Sequence, residues 1–155
     1  MEKTAGPLHA FLAGSGPDSR GRRVADVLAF SDQELERHHD FIQWLFPLPV
    51  RSSAQPDAPV LDDRQIAAIR EDARAAANLQ RGSERMLQFY RDTDAWLSPA
   101  DHNHLRITRI IRSLKLLVGQ GAARMFYETI LTLHREAGSP VNAVSLRFWK
   151  EATQD

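Results

Sequence analysis

The segment SPADHNHLRITRIIRSLKLLVGQG, residues 98–121, constrains the fold more than any other part of the chain. Projected at about 100° per residue, its Ile107, Ile110, Ile111, Leu114, Leu117 and Val118 fall within one sector roughly 120° wide. This is a helix with one core-facing side. Ser98 stands where a cap is expected, Pro99 at the first helical position and Gly119 at the stop. No stretch of the chain alternates at period two for long enough to make a strand. The expected class is all-α, a single-domain bundle of six or seven helices over residues 1–155.

The remaining elements are read from caps and breakers. A short helix is expected from Leu8 to about Ala13, before a Gly/Ser/Pro loop, and a second from about Arg22 to Ala29. Ser31 followed by Glu34 has capping-box spacing, and Leu35, His38, Ile42 and Leu45 recur at helical intervals. One helix should therefore run from Ser31 to near Phe46, where Pro47 stops it. Pro49, Pro56 and Pro59 keep the following linker extended. Asp62 is the next cap, with Gln65 as its box partner and Leu61 stapled to Ile66, and Ile66, Ile69, Ala73 and Ala76 share a face. A further segment spans Asn78–Tyr90, in which Gly82 costs about 1 kcal/mol relative to alanine. A long helix ends at Gly138 and a shorter one closes the chain.

Charge and composition exclude several functions. Twenty basic and twenty acidic residues cancel, so no general attraction to nucleic acid or anionic membrane follows. The absence of cysteine removes disulfides, thiol nucleophiles and cysteine zinc sites, and fits a reducing, cytoplasmic location. No window approaches the length of a membrane span. Arg106, Arg109, Arg112 and Lys115 drift around the side of their helix opposite the apolar sector, joined by Arg124, and no acidic residue lies between His102 and Tyr127. Such a surface suits phosphate or carboxylate, although no aromatic interleaves with it for base stacking.

Catalytic and metal chemistry find little support. Glu36 and His39, and Asp101 and His104, each place a carboxylate and a histidine three residues apart, but Asp101 sits at a capping position and no second inward pair of carboxylates is evident. No nucleophile elbow, phosphate loop or dinucleotide fingerprint occurs. No catalytic residue, metal or cofactor is assigned. A hydrolase or metal-dependent enzyme ranks third, behind a binding module and a nucleic-acid or anion binder using Arg106–Lys115.

The blocks LERHHDFIQWLFPLP, DAPVLDD, RMLQFY, NHLRITRIIRSLKLL and LRFW, in this order, resemble the conserved region of the opioid growth factor receptor family. The resemblance runs from about Leu8 to Ala152. It implies an all-helical region; animal members are described as receptors for the pentapeptide methionine enkephalin, and many bacteria encode a stand-alone version, which this chain resembles. It implies no opioid signalling for such a version and no catalytic residues. Arg91 stands where the family usually has glycine after FY, and Ser52 or Ser53 is followed by Gln55 and Pro56 rather than by the usual Ser-x-x-Asn.

The candidate site joins two stretches. His39, Asp40, Gln43 and Trp44 occupy faces off the core stripe of their helix, and Asn103, His104, Arg106 and Arg109 begin the basic helix. Together they are expected to line a polar-aromatic cleft for a small anionic or peptide ligand or a protein partner, with Trp44 as wall and Arg106 pairing with a carboxylate or phosphate. The competing expectation is a latch, in which Asp40 bridges to Arg106 or Arg109 while Asn103 and Gln43 satisfy loop backbone.

Overall fold

The structure is a computed structural model that describes residues 3–154. Those residues form nine α-helices and no strand, so the all-α class holds with more, shorter helices than expected. The chain divides into two compact units, Met1–Gly82 and Ser83–Asp155.

The first unit contains α1 (Pro7–Ala13), α2 (Val24–Leu28), α3 (Asp32–Arg37), α4 (Ile42–Leu45), α5 (Asp63–Glu71) and the first half of α6 (Ala73–Asp92). Helix α1 packs on α4 and α5. The Ser31 hydroxyl accepts the Glu34 N–H, and the Glu34 carboxylate accepts the Ser31 N–H, which holds that carboxyl below its usual range. The expected helix from Ser31 to Phe46 is nevertheless broken. His38 turns to an extended conformation (φ −82°, ψ 132°), and α4 is a separate single turn. The reason is burial: Phe41 through Leu48 are eight consecutive buried residues, whereas a continuous helix would bury only one face. Phe30 fixes the bend from outside, its ring 5.2 Å from His38 and 5.6 Å from Phe41.

Asp62 caps α5 by accepting the Gln65 N–H at 2.8 Å. The Gln65 side chain does not complete a capping box; its oxygen accepts the N–H groups of Leu8 and His9 and so caps α1. Asp72 ends α5 and caps α6, accepting from the N–H of Arg74 and Ala75. The helical face read as continuous from Ile66 to Ala76 is thus cut at Asp72, and Asn78–Tyr90 belongs to one 20-residue helix that begins at Ala73. Gly82 does not interrupt it, because its helical hydrogen bonds remain and its missing Cβ makes room for Leu45: a Cβ there would lie 2.9 Å from Leu45 Cδ1.

The second unit holds the end of α6 with α7 (Asn103–Leu117), α8 (Gln120–Glu136) and α9 (Ala143–Ala152), and α7 packs against both α8 and α9. Ile107, Ile110, Ile111, Leu114 and Leu117 are buried, as the projection requires, while Val118 is only half-buried. The start of α7 differs from expectation. Ser98 turns its hydroxyl back to the carbonyls of Ala95 and Ala100, and the Trp96 indole N–H ties the preceding loop to the carbonyls of Tyr90 and Thr93. Asp101 supplies the capping oxygen instead, accepting the Asn103 N–H at 3.0 Å. Gly119 (φ 147°, ψ 167°) ends the helix in backbone space that glycine alone occupies readily.

Candidate functional site

In the first unit, each of the four expected residues has a defined place. His39 is exposed beyond the end of α3, so it and Glu36 do not share a helical face as a metal pair would. Asp40 belongs to an ion-pair cluster: it accepts from Arg22 Nη2 at 3.0 Å and lies 3.4 Å from Arg20 Nη1. Arg22 in turn donates to the fully buried carboxylate of Asp18 at 2.7 Å. Composition gave no hint of this cluster, although the pattern DSRGRR held all its basic members. Trp44 is buried with its ring edge-on to Phe11, centroids 5.7 Å apart.

Gln43 is different. It is 5% exposed, and its side-chain oxygen is buried with no hydrogen-bond partner. Leaving such an acceptor unpaired costs roughly 1–3 kcal/mol. Among the buried side-chain polar atoms of the described residues, this one alone lacks a partner.

In the second unit, the start of α7 is held tightly. Asn103, 1% exposed, accepts the Tyr90 hydroxyl at 3.2 Å and donates to Asp101 at 2.8 Å. His104 Nε2 lies 2.7 Å from the Trp96 carbonyl, which can only accept, so the proton sits on Nε2 and Nδ1 faces the Ser145 hydroxyl at 3.3 Å. Both ring nitrogens of His104 are engaged, and Asp101 accepts from the backbone and side-chain N–H groups of Asn103.

The basic helix does not present one solvated row. Arg106 is 6% exposed, and Arg109 is half-buried. Burial, and secondarily the neighbouring Arg112, pushes the Arg109 guanidinium down to about 10, still charged at neutral pH. Arg112 and Arg124 are exposed, whereas the Lys115 ammonium donates to the Gln154 carbonyl. The surface expected over Arg106–Lys115 is therefore interrupted, because helical spacing of three residues carries the first arginine round into buried territory.

Each unit also has an open cavity. One of about 740 Å³ in the first unit is lined by His9, Ser15, Glu71, Asp72 and Arg74 among others. Its histidine is not a free base: Nδ1 accepts the Ala5 N–H at 2.9 Å, and Nε2 donates to Asp72 at 2.8 Å. The other, about 400 Å³ in the second unit, lies between Arg91 and the Met125, Thr129 and Leu133 ridge of α8, flanked by Glu128 and Glu136.

Residues 29–95 match the family profile described as the opioid growth factor receptor (OGFr) conserved region. Through this region the chain is similar to the opioid growth factor receptor family. The opioid growth factor receptors of Mus musculus and Rattus norvegicus are each 33% identical to it over 126 residues, covering 65% of this chain. The alignment takes in 19% of the mouse and 21% of the rat receptor, so the chain spans about a fifth of their length. No solved structure matches it. The profile covers less than the expected Leu8–Ala152: it holds the FIQWLFP and RMLQFY blocks with Arg91, while NHLRITRI lies beyond its last residue. Gln43 and its neighbours thus belong to the matched region, and Asn103, His104, Arg106 and Arg109 do not.

No helix among the described residues is long and apolar enough to cross a membrane.

Proposed function

We propose that the chain is a non-catalytic binding module of the opioid growth factor receptor type. Its ligand, a peptide or small anionic molecule or a segment of a protein partner, offers a hydrogen-bond donor to Gln43. The observation that carries this reading is the buried, unpaired side-chain oxygen of Gln43 inside the region that matches the family. Proteins rarely leave such an atom unsatisfied, and a donor supplied on binding would convert its cost into affinity and specificity. His39, four residues earlier, is exposed, and Asp40 and Trp44 fix the local backbone through Arg22 and Phe11. In the second unit, Asn103, His104, Arg106 and Arg109 are a separate candidate set, in which Arg109 retains its charge for an anionic group.

The non-catalytic part is supported by His9, whose two ring nitrogens are both engaged within its own unit. A cytoplasmic location in a single folded domain completes the reading, in keeping with the absence of cysteine.

The test is a thermal-unfolding screen of the full chain against short peptides including methionine enkephalin, phosphorylated metabolites, oligonucleotides and divalent metals. A ligand at about 100 times its Kd stabilises by about 2.7 kcal/mol. The reading requires a peptide or small anion that shifts the wild type and shifts Gln43→Met far less. A ligand that stabilises both equally would place binding elsewhere, and a response to metal alone would restore the enzyme reading.

A further inference from the structure

We propose that His134 is an acid-sensitive clamp that holds the start of α9 to the end of α8. His134 lies in the last turn of α8 and is 3% exposed. Its Nδ1 accepts the backbone N–H of Val141 at 3.3 Å, closing the tight reversal that leads into α9. Gly138 (φ 86°) and Ser139 (φ 58°) both take left-handed backbone in that reversal, an uncommon conformation for serine. Asn142 follows at once and caps α9 by accepting the Ser145 N–H at 2.8 Å.

The direction of this hydrogen bond is what makes the clamp titratable. A backbone N–H can only donate, so Nδ1 must be unprotonated and the ring neutral, with its proton on Nε2. Protonation at Nδ1 sets one N–H against another and turns an attractive contact into a repulsive one. The second buried histidine at α9 has no such contact: His104 Nδ1 faces the Ser145 hydroxyl rather than a backbone N–H. The clamp is therefore specific to His134.

Its surroundings give no compensation for a positive charge. The charged and titratable groups that face it are Arg135 on its own helix and His104 on α7, and no ion pair joins it to a carboxylate among the described residues. Burial first, and these two neighbours second, lower its pKa from the ordinary 6.5. The folded state thus takes up the proton less readily than the unfolded chain. The contribution of the clamp is complete above 6.5 and is progressively lost as pH falls below it. The element released is α9, whose Trp149 is fully buried and whose indole N–H is bonded to His104.

Amide hydrogen exchange on the full chain, followed by NMR from about pH 7.5 to about pH 5 and corrected for intrinsic rates, tests this. The opening constants of Val141 and the α9 amides should rise by up to about tenfold per pH unit below about 6.5, ahead of the α7 interior. His134→Asn, whose amide oxygen stands in for Nδ1 as an acceptor that does not titrate, should flatten that rise. Should His134→Asn not fold, the wild type decides alone, because the rise in α9 opening must level off where its His134 ring resonances titrate. Opening of α9 that is independent of pH, that persists with the same slope in His134→Asn, or that fails to track the ring titration would overturn the proposal.

Discussion

The indole N–H of Trp149 donates to the main-chain carbonyl of His104 at 2.9 Å, and the His104 ring stands edge-on to the same indole with centroids 5.6 Å apart. One residue of α9 is thus bonded to the first turn of α7 by both hydrogen bond and ring packing. Trp149→Phe keeps much of the ring and removes the N–H, and should destabilise the protein by about 1–2 kcal/mol. Urea unfolding monitored by circular dichroism measures this; no loss would mean that the indole bond contributes nothing net.

Gly82 and Leu45 make an opposite kind of pair, in which the absence of an atom matters. Gly82→Ala should gain about 1 kcal/mol of helix propensity. It also sets a methyl 2.9 Å from Leu45 Cδ1 and 3.0 Å from Cγ, and Leu45, 1% exposed, has no free space into which to swing. Overpacking should win, for a net loss of about 1–2 kcal/mol. The double variant with Leu45→Ala provides the check, because the two substitutions should cost less together than their separate losses predict.

Asp18 anchors the cluster that contains Asp40. Its side chain is fully buried, and it accepts from Arg22 Nε and from the N–H groups of Arg20 and Arg22. Asp18→Asn should cost about 3 kcal/mol, since it leaves a half-buried guanidinium without its closest counter-charge. Asp40→Asn, at a carboxylate one-quarter exposed, should cost clearly less. Chemical denaturation of both variants would test the ordering, and equal losses would contradict it.

Asp72 supplies a pH dependence of the same sign as that of His134, in a more acidic range. Partial burial pushes its carboxyl up, but hydrogen bonds from His9 and from the N–H groups of Ala75 and Arg74 outweigh this and hold it below its usual range. Its contribution is present above the ordinary value of 3.8 and is lost as pH falls through the lowered one. Between about pH 5 and about pH 2.5 the wild type should therefore lose more stability than Asp72→Asn. Parallel melting curves would show that the carboxylate adds nothing.

Helical class, the proline stop after Phe46, the Ser31 and Asp62 caps and the apolar sector of α7 were all legible in the chain, because each follows from local backbone chemistry or from periodicity. The breaks at His38 and Asp72 were not. Both occur where tertiary demands override a continuous pattern: eight consecutive buried residues after Asp40, and a carboxylate that ends one helix while capping the next. Ser98 was misassigned because Asp101, three residues later, competes for the same role and wins. Of the candidate site, the residue types could be read but not their commitments. Arg22 claims Asp40, and Phe11 packs on Trp44, from segments that spacing alone could not bring near. The unpaired state of Gln43 and the clamp at His134 have no signature in sequence at all, since both depend on what lies around the side chain.

On the proposed function, Gln43 is kept polar for a ligand. The deciding measurement is calorimetric titration of wild type and Gln43→Met with the peptide or anion found by thermal screening, alongside their unfolding free energies. Gln43→Met should be at least as stable as wild type, because a burial cost of roughly 1–3 kcal/mol is relieved, while its affinity falls by at least about tenfold. A variant that is destabilised yet binds with unchanged affinity would show that Gln43 serves the fold alone.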